Sequence, residues 1–278
     1  MAPEMATLSE LTASRELFAN LTLRELRGKY KRSALGWTWS LINPLATMAI
    51  FTVVFNFFLK VEVPEGDPSG LNVFAFYLLC GLLPWNYLSN SLTGSMGMLL
   101  SNANLIKKVY FPREILVAAN VAAAGFTLVI ELGVLAVALL IAGNFVIPWL
   151  APLLLILALQ TVFVTGVGLT FSVLNVYFRD VQHFVGILLQ LWFYATPIVY
   201  PRDVVPQTHE FWGMEIPVRT IYDLNPMVKF AEAYRNCLYD LRLPSWSTVA
   251  VLAAVAVVSL AIGMAVFNRF EPRLAEEL

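Results

Sequence analysis

Long stretches of this chain lack charged side chains, and no other feature restricts the fold as strongly. The hydrocarbon core of a bilayer is about 30 Å thick and takes roughly 20 helical residues to cross. The composition agrees, since 59% of the 278 residues are apolar and only 13% are charged. We therefore predict an all-α membrane protein with six transmembrane helices. The predicted spans are Leu35–Leu59, Val73–Leu100, Ile115–Ala142, Pro148–Tyr177, Phe184–Tyr200 and Thr248–Asn268.

Lysine and arginine residues are concentrated on one side of these spans. If the amino terminus is cytoplasmic, six precede the first span, three lie in 101–114, one in 178–183 and two at the carboxyl end. Five of the remaining six lie in one long outer segment, and the sixth is Lys60. This distribution follows the positive-inside rule, so we expect both termini in the cytoplasm.

The first 34 residues predict an amphipathic helix at the cytoplasmic surface of the membrane. At 3.6 residues per turn, apolar and basic side chains fall on opposite faces. The apolar positions are Leu11, Phe18 and Leu21, and the basic ones are Arg24, Arg27 and Lys31. Such a helix binds anionic lipid headgroups through its basic face. A role in gating or in docking a partner is the alternative.

The cytoplasmic segment between the second and third spans, "NANLIKKVYFPRE", predicts a short amphipathic helix. Apolar residues alternate there with Lys107 and Lys108 at helical spacing, and Pro112 ends the segment and starts the next span. From composition alone, a solvated basic loop that only sets the topology is equally compatible.

Arg179 and Asp180 lie at the cytoplasmic end of the fourth span. Adjacent opposite charges at such a boundary usually stabilise a helix end or pair with a neighbour, so we assign them a structural role first. We predict packing roles for Cys80 and Cys237, no function for His183, and no metal site.

The segment from Pro201 to Ser247 is too polar to span and mixes prolines, aromatic residues and short helical patterns. Irregular backbone at membrane depth needs cover by protein or a water-filled cavity. We therefore expect half-buried outer helices that cap the mouth of a pathway.

No nucleotide-binding loop, protease motif or metal-ligand cluster occurs in the sequence. The only ionisable side chain within the predicted spans is Glu131, which either has a function or packs against a polar partner on another helix. A secondary transporter or channel would favour several buried charges and inverted repeats. An intramembrane enzyme would favour a carboxylate cluster or a histidine near one leaflet, and neither is apparent.

Four separated stretches resemble one known family. They are "LTLRELRGKYKRSALGWTWSLINPL", "NANLIKKVYFPREIL", "NVYFRDV" and the pair "TPIVYP" with "NPMVKFAEAYR". Together they are similar to the transmembrane subunit of ABC-2 type exporters in the polysaccharide branch, which moves O-antigen, teichoic acid, capsule or cell-wall galactan. The resemblance covers essentially the whole chain.

The resemblance implies a homodimer in the bacterial plasma membrane that works with two copies of an ATPase subunit, exports a lipid-linked polysaccharide and binds no nucleic acid. ATP and magnesium would be bound by the ATPase, and this chain would hold no cofactor. The resemblance also places an interface helix in 1–34, a coupling helix in 102–113 and re-entrant gate helices in 201–239. The coupling residues would be Leu105, Ile106, Lys107, Lys108, Val109, Tyr110, Phe111, Pro112 and Arg113. The outer gate would include Pro197, Tyr200, Pro201, Asn225, Pro226, Met227 and Arg235.

Aromatic residues cluster toward the first and fifth spans, where a neutral polymer could slide on flat faces without meeting a tight polar site. The predicted pathway residues are Trp37, Trp39, Phe51, Phe55, Glu131, Trp192, Phe193 and Tyr194. The alternative is that the tryptophans anchor the helix at the headgroups and the other aromatics face lipid or pack between helices.

Overall fold

The computed structural model describes residues 8–29, 35–58, 64–109, 111–211 and 214–277, most of which are helical. The helices are α1 (Leu8–Lys29), α2 (Trp39–Phe51), α3 (Phe74–Ser101), α4 (Ala103–Lys108), α5 (Glu114–Ile141), α6 (Leu150–Tyr177), α7 (Val181–Tyr194), α8 (Val218–Asp223), α9 (Pro226–Arg235), α10 (Trp246–Phe270) and α11 (Leu274–Glu277). A π-helical turn, Thr52–Phe58, continues α2, and another, Asn236–Asp240, continues α9.

Among the described residues, three helical segments are long and apolar enough to cross a membrane. They are Glu114–Ile141, Ile147–Tyr177 and Trp246–Arg273, and they match the third, fourth and sixth predicted spans closely. The shorter apolar helices are Trp39–Phe55 and Val181–Tyr194. The chain is therefore a mostly helical integral membrane protein, as its composition indicates.

The fifth predicted span, Phe184–Tyr200, is wrong at its far end. Helix α7 has only 14 residues and ends at Tyr194, so it is about 21 Å long at 1.5 Å per residue. The apolar sequence continues, but the backbone after Tyr194 is irregular and its carbonyls accept side-chain bonds instead. Asn225 Nδ2, for example, donates to Ala195 O at 2.8 Å.

Helices α6 and α10 pack so closely that two glycines face each other. A Cβ atom placed on Gly263 would lie 2.8 Å from the Cα of Gly166, which is nearer than carbon atoms normally approach. Small residues allow such close contact between helices in a membrane. Ser259 Oγ adds a hydrogen bond across the same interface, to Phe163 O at 2.9 Å.

Helix α3 lies at the centre of the bundle and packs against α5, α6 and α9. Helix α9 is correspondingly buried, with Met227, Phe230 and Tyr234 fully inside. Asn225 starts this helix, because its side-chain oxygen accepts the Met227 N–H at 3.0 Å and Pro226 occupies the first turn.

The segment before α8 contains a hairpin that the sequence did not predict. Strands β1 (His209–Phe211) and β2 (Met214–Ile216) pair antiparallel, with Glu210 opposite Glu215. The outer region predicted as short helices over 201–239 is therefore part hairpin and part helix. The two helices within it are α8 and α9.

Candidate coupling surface and outer cavity

The segment predicted to be a coupling helix, 102–113, is helical only over the six residues of α4 among those that the structure describes. Ile106 is only 4% exposed and packs in a cluster with Leu21, Phe111 and Leu274, whereas Lys107 and Lys108 are exposed. The helix therefore presents a basic face backed by an apolar anchor. Val109 and Pro112 are also exposed, Leu105 is half-buried, and Tyr110 lies outside the described residues.

Helix α1 is fastened to the start of α4. Arg24 Nη2 donates to Asn102 Oδ1 at 2.8 Å, and the Asn102 amide nitrogen donates to Met98 O at 2.8 Å. Leu21 and Leu26 are buried, while Arg24 and Arg27 are exposed. The predicted amphipathic helix is thus present, and its apolar face contacts the rest of the protein. The side chain of Leu11 and all of Lys31 lie outside the described part.

The carboxyl end of the chain supports the other end of the same segment. Arg113 Nη1 donates to Glu271 O at 2.6 Å, and Leu274 is fully buried. We call the exposed face of α4, together with the α1 and Glu271–Glu277 segments that hold it, the coupling platform. No local sequence pattern indicated the contribution of the carboxyl end.

Glu131 has a charged neighbour that the sequence analysis did not identify. Lys29, the last residue of α1, donates from Nζ to Thr127 Oγ1 at 3.3 Å, one helical turn before Glu131. Its positive charge acts directly on the Glu131 carboxylate. The hydrogen bond to Thr127 and the attraction between Lys29 and Glu131 link α1 to α5.

Arg179 and Asp180 are both exposed at the start of α7. Asp180 occupies the residue before the first turn, although its side chain makes no capping hydrogen bond. A carboxylate there still stabilises the helix through the helix dipole. Within the described ranges, Arg179 forms no ion pair with Asp180.

The aromatic residues predicted to line a pathway fall into two groups rather than one. Phe51 contacts Phe55, and Phe55 stacks on Phe74 with ring centroids 4.2 Å apart. Trp192 and Phe193 instead lie edge-on to Trp85, at 5.8 and 5.7 Å. Trp39 is partly exposed, and the side chain of Trp37 lies outside the described part.

One face of α7 is exposed in the part of the chain that the structure describes. Tyr194 is 66% exposed, and three further apolar side chains align with it at helical spacing. They are Phe184, Ile187 and Leu191. The opposite face of α7 is buried through Val185 and Leu189.

Two of the residues predicted to form an outer gate, Tyr200 and Asn225, are hydrogen-bonded to neighbouring side chains and backbone. Trp192 Nε1 donates to Asn225 Oδ1 at 2.7 Å, which ties the end of α7 to the start of α9. Tyr222 donates to the hydroxyl of Tyr200 at 3.2 Å, and Tyr200 donates to Tyr194 O at 2.6 Å. Pro197 and Met227 are buried, whereas Pro201 and Pro226 are half-buried.

A cavity of about 320 Å³ opens beside these residues, and we call it the outer cavity. Its lining combines carboxylates, guanidinium groups and tyrosines from four parts of the chain. The lining residues are Pro64, Glu65, Asp67, Tyr77, Pro201, Arg202, Asp203, Glu232, Arg235, Asn236, Tyr239, Asp240 and Arg242.

Arg235 lies in the wall of the outer cavity and is only 6% exposed. Its guanidinium carbon sits 3.8 Å from the centre of the Tyr77 ring, a cation–π contact. Nε donates to Tyr77 O at 3.3 Å, and Nη2 donates to Ile198 O at 2.9 Å. Both acceptors are main-chain carbonyls, so neither neutralises the charge.

Two carboxylates of the outer cavity are partly desolvated. Burial raises the pKa of Glu232 and of Asp240 above their ordinary values, although nearby arginines act in the opposite direction. Glu232 Oε1 lies 3.4 Å from Arg202 Nε, and Asp240 Oδ2 lies 3.3 Å from Arg242 Nη2. Arg202 also forms a hydrogen-bonded pair with Asp223.

In the described ranges no group of three or more His, Cys, Asp or Glu side chains is placed to hold a metal ion. Cys80 and Cys237 are both buried and free, as packing residues are expected to be.

Comparison with known proteins identifies the family. Residues 16–239 match the family model described as ABC-2 type transporter. The O-antigen export system permease protein RfbA of Klebsiella pneumoniae is 30% identical over 264 residues, which cover 95% of each chain. RfbA of Myxococcus xanthus is 30% identical over 269 residues, covering 97% of this chain and 98% of that protein. The polysialic acid transport protein KpsM of Escherichia coli is 23% identical over 252 residues, or 90% and 92% of the two chains. The chain therefore belongs to the ABC-2 type transporter family as a permease of the polysaccharide-export type.

Proposed function

We propose that this chain is the transmembrane subunit of an ATP-driven exporter that carries a lipid-linked polysaccharide across the bacterial plasma membrane. The observation that carries the proposal is similarity to O-antigen export permeases along 95% of both chains. Similarity that rested on one shared domain or a single motif would cover a much smaller share of the two chains.

The coupling platform is the proposed docking site for a separate ATPase subunit that binds ATP and magnesium. The chain has no phosphate-binding loop of its own. Lys107, Lys108 and Val109 are exposed, while Ile106 anchors them to a packed cluster. Because packed interiors resist compression, a push on this surface moves the helices behind it. Arg179 and Asp180 supply a second exposed contact on α7.

The exporter would be a homodimer with two ATPase subunits and six spans in each permease. The exposed face of α7, from Phe184 to Tyr194, is an apolar surface that a second copy or the translocation path can use. Trp39, Trp192 and Tyr194 would contribute the stacking surfaces of that path. In this arrangement both termini are cytoplasmic and the outer cavity faces the opposite side.

Two other classes of membrane protein are less compatible with the described contacts. A secondary transporter or channel would use Glu131 as an unpaired ion site, but the positive charge of Lys29 acts on the Glu131 carboxylate, and Lys29 is bonded to Thr127 one turn away. An intramembrane enzyme acting on lipid-linked sugars would need a carboxylate cluster within the spans. Dependence on an ATPase subunit would distinguish the exporter from a secondary transporter or channel and from an intramembrane enzyme.

The test is deletion of the gene in its own cells, followed by complementation. We expect deletion to abolish surface polysaccharide and to leave lipid-linked polysaccharide inside, and we expect the same when the Walker A lysine of the co-purifying ATPase is replaced. Normal surface polysaccharide in either strain would refute the proposed function.

A further inference from the structure

The outer cavity offers hydrogen-bond donors and acceptors side by side. Arg235 uses two of its nitrogens on main-chain carbonyls, and Nη1 has no acceptor among the described residues. This side chain is 94% buried, so its free donor can be satisfied only from the cavity or by water within it. Glu232 and Asp240, both half-buried, provide acceptors nearby.

The charge of the lining restricts the ligand. Five carboxylates and three guanidinium groups line the outer cavity, which gives it a formal charge of −2. An anionic polymer or a phosphate would be repelled by this excess. A metal ion lacks a ligand set here, because among the described residues no three His, Cys, Asp or Glu side chains are grouped to hold one. A neutral ligand rich in hydroxyl groups meets neither penalty.

The shape and the apolar surfaces of the cavity agree with such a ligand. Its volume of about 320 Å³ lies at the lower end of the range of about 300–1,000 Å³ for small-molecule sites. Tyr77 and Tyr239 meet edge to face, with ring centroids 5.5 Å apart, and lie buried behind the wall, whereas Pro64 and Pro201 form its accessible apolar part. Proline surfaces suit the C–H face of a pyranose ring, while its hydroxyls can both donate to carboxylates and accept from guanidinium groups.

We propose that the outer cavity binds one neutral sugar unit of the exported polysaccharide after it has passed the outer gate. The inference rests on the proposed function and deepens it, because it assigns a substrate contact outside the membrane-spanning helices. A unit held there hinders the polymer from sliding back while the ATPase resets.

The first experiment measures occupancy in cells with a membrane-impermeant maleimide. Glu65→Cys places a thiol in the exposed wall, and no hydrogen bond of Glu65 is lost among the described residues. Glu210→Cys, on the outer hairpin and away from the cavity, is the matched control with the same charge change. The native cysteines are buried and give little background. Asp203→Cys, also in the wall and 90% exposed, replaces Glu65→Cys if that variant does not reach the membrane.

Labelling is compared between cells that synthesise the polysaccharide and cells in which its synthesis is switched off. We expect synthesis to slow labelling at position 65 at least threefold and to leave position 210 unchanged. Equal labelling rates with and without synthesis, or equal slowing at both positions, would overturn the inference. Surface polysaccharide is measured in the same cells, so unchanged labelling with normal export refutes the cavity site and leaves the exporter assignment intact.

The second experiment measures binding by the purified permease–ATPase complex. The probe is a repeat-unit oligosaccharide released from the surface polysaccharide of the same cells. Glu232→Gln and Asp240→Asn each replace a charged acceptor by a weaker neutral one, so we expect each to weaken binding about tenfold. Glu215→Gln, on the outer hairpin, should leave the affinity unchanged. Failure of the wild-type complex to bind the oligosaccharide, or equal affinity of all variants, would overturn the site.

Discussion

Replacing Gly263 by alanine tests the close packing of α6 and α10 directly. The new Cβ would lie 2.8 Å from Gly166 Cα and closer still to the Gly166 carbonyl oxygen, whereas ordinary contacts begin at 3.4 Å, so the helices have to separate by more than about 0.6 Å at this point. The obstacle is backbone, which cannot turn away as a side chain can. Overpacking of this kind costs about 1–3 kcal/mol.

Gly133→Ala on α5 provides the matched control, because a Cβ there meets nothing within 4 Å. Both variants gain about 1 kcal/mol of helix propensity from the same Gly-to-Ala change. The difference between them therefore isolates the packing cost. We expect Gly263→Ala to be less stable than Gly133→Ala by about 1–3 kcal/mol, at the upper end if the backbone does not yield.

The assay is reversible unfolding of the purified permease in mixed micelles, titrated with a denaturing detergent and followed by tryptophan fluorescence. Gly166→Ala should be destabilised like Gly263→Ala. The double variant should cost less than the sum, because one separation of the helices relieves both contacts. If Gly263→Ala were as stable as Gly133→Ala, the close approach of the two helices would be refuted.

Three further predictions concern function. Lys107→Glu with Lys108→Glu should reduce export per ATP hydrolysed far more than Lys60→Glu, since only the pair lies on the coupling platform; equal effects on surface polysaccharide would contradict this assignment. In a phosphate-release assay, the purified chain alone should hydrolyse no ATP, whereas its complex with the ATPase subunit should. Hydrolysis by the isolated chain would contradict the proposal that a separate subunit hydrolyses the ATP. Trp192→Ala and Tyr194→Ala should each lower surface polysaccharide relative to the retained lipid-linked form; normal export by abundant variants would rule out the aromatic path.

The sequence predicts the third and sixth spans well because each is an uninterrupted apolar run with polar ends. Ile115–Ala142 differs by one residue at each end from the observed Glu114–Ile141. Hydrophobicity does not mark the end of α7, because it continues past Tyr194. Pro197 marks it instead, since proline has no N–H to donate to Phe193 O and disfavours helical backbone at Thr196. The hydrogen bond from Asn225 to Ala195 O, across 30 positions, holds the irregular segment that follows and has no local signal.

The same distinction applies to the candidate sites. The spacing around Lys107 and Lys108 is local and predicts a short helix where α4 is found. The contacts that hold this helix are not local, since Arg24 and Asn102 are 78 residues apart. The outer cavity is even more difficult to predict from the sequence, because Glu65, Tyr77 and Asp240 come from distant segments that carry no shared motif. The burial of Arg235 could not be predicted either, because the sequence around it has the pattern of an ordinary amphipathic helix.

The bond between Arg113 and Glu271 also bears on the order in which the protein is made. The two residues are separated by 158 positions, so at 5–20 residues per second the ribosome needs roughly 8–30 s to travel from one to the other. During that interval the α4 segment has been synthesised but lacks the support of Glu271 and Leu274. A nascent subunit therefore presents an unsupported platform, and a chain released before Glu271 lacks this support altogether. Residues that are synthesised long after α4 thus complete the surface that we propose to bind the ATPase, so assembly depends on their synthesis.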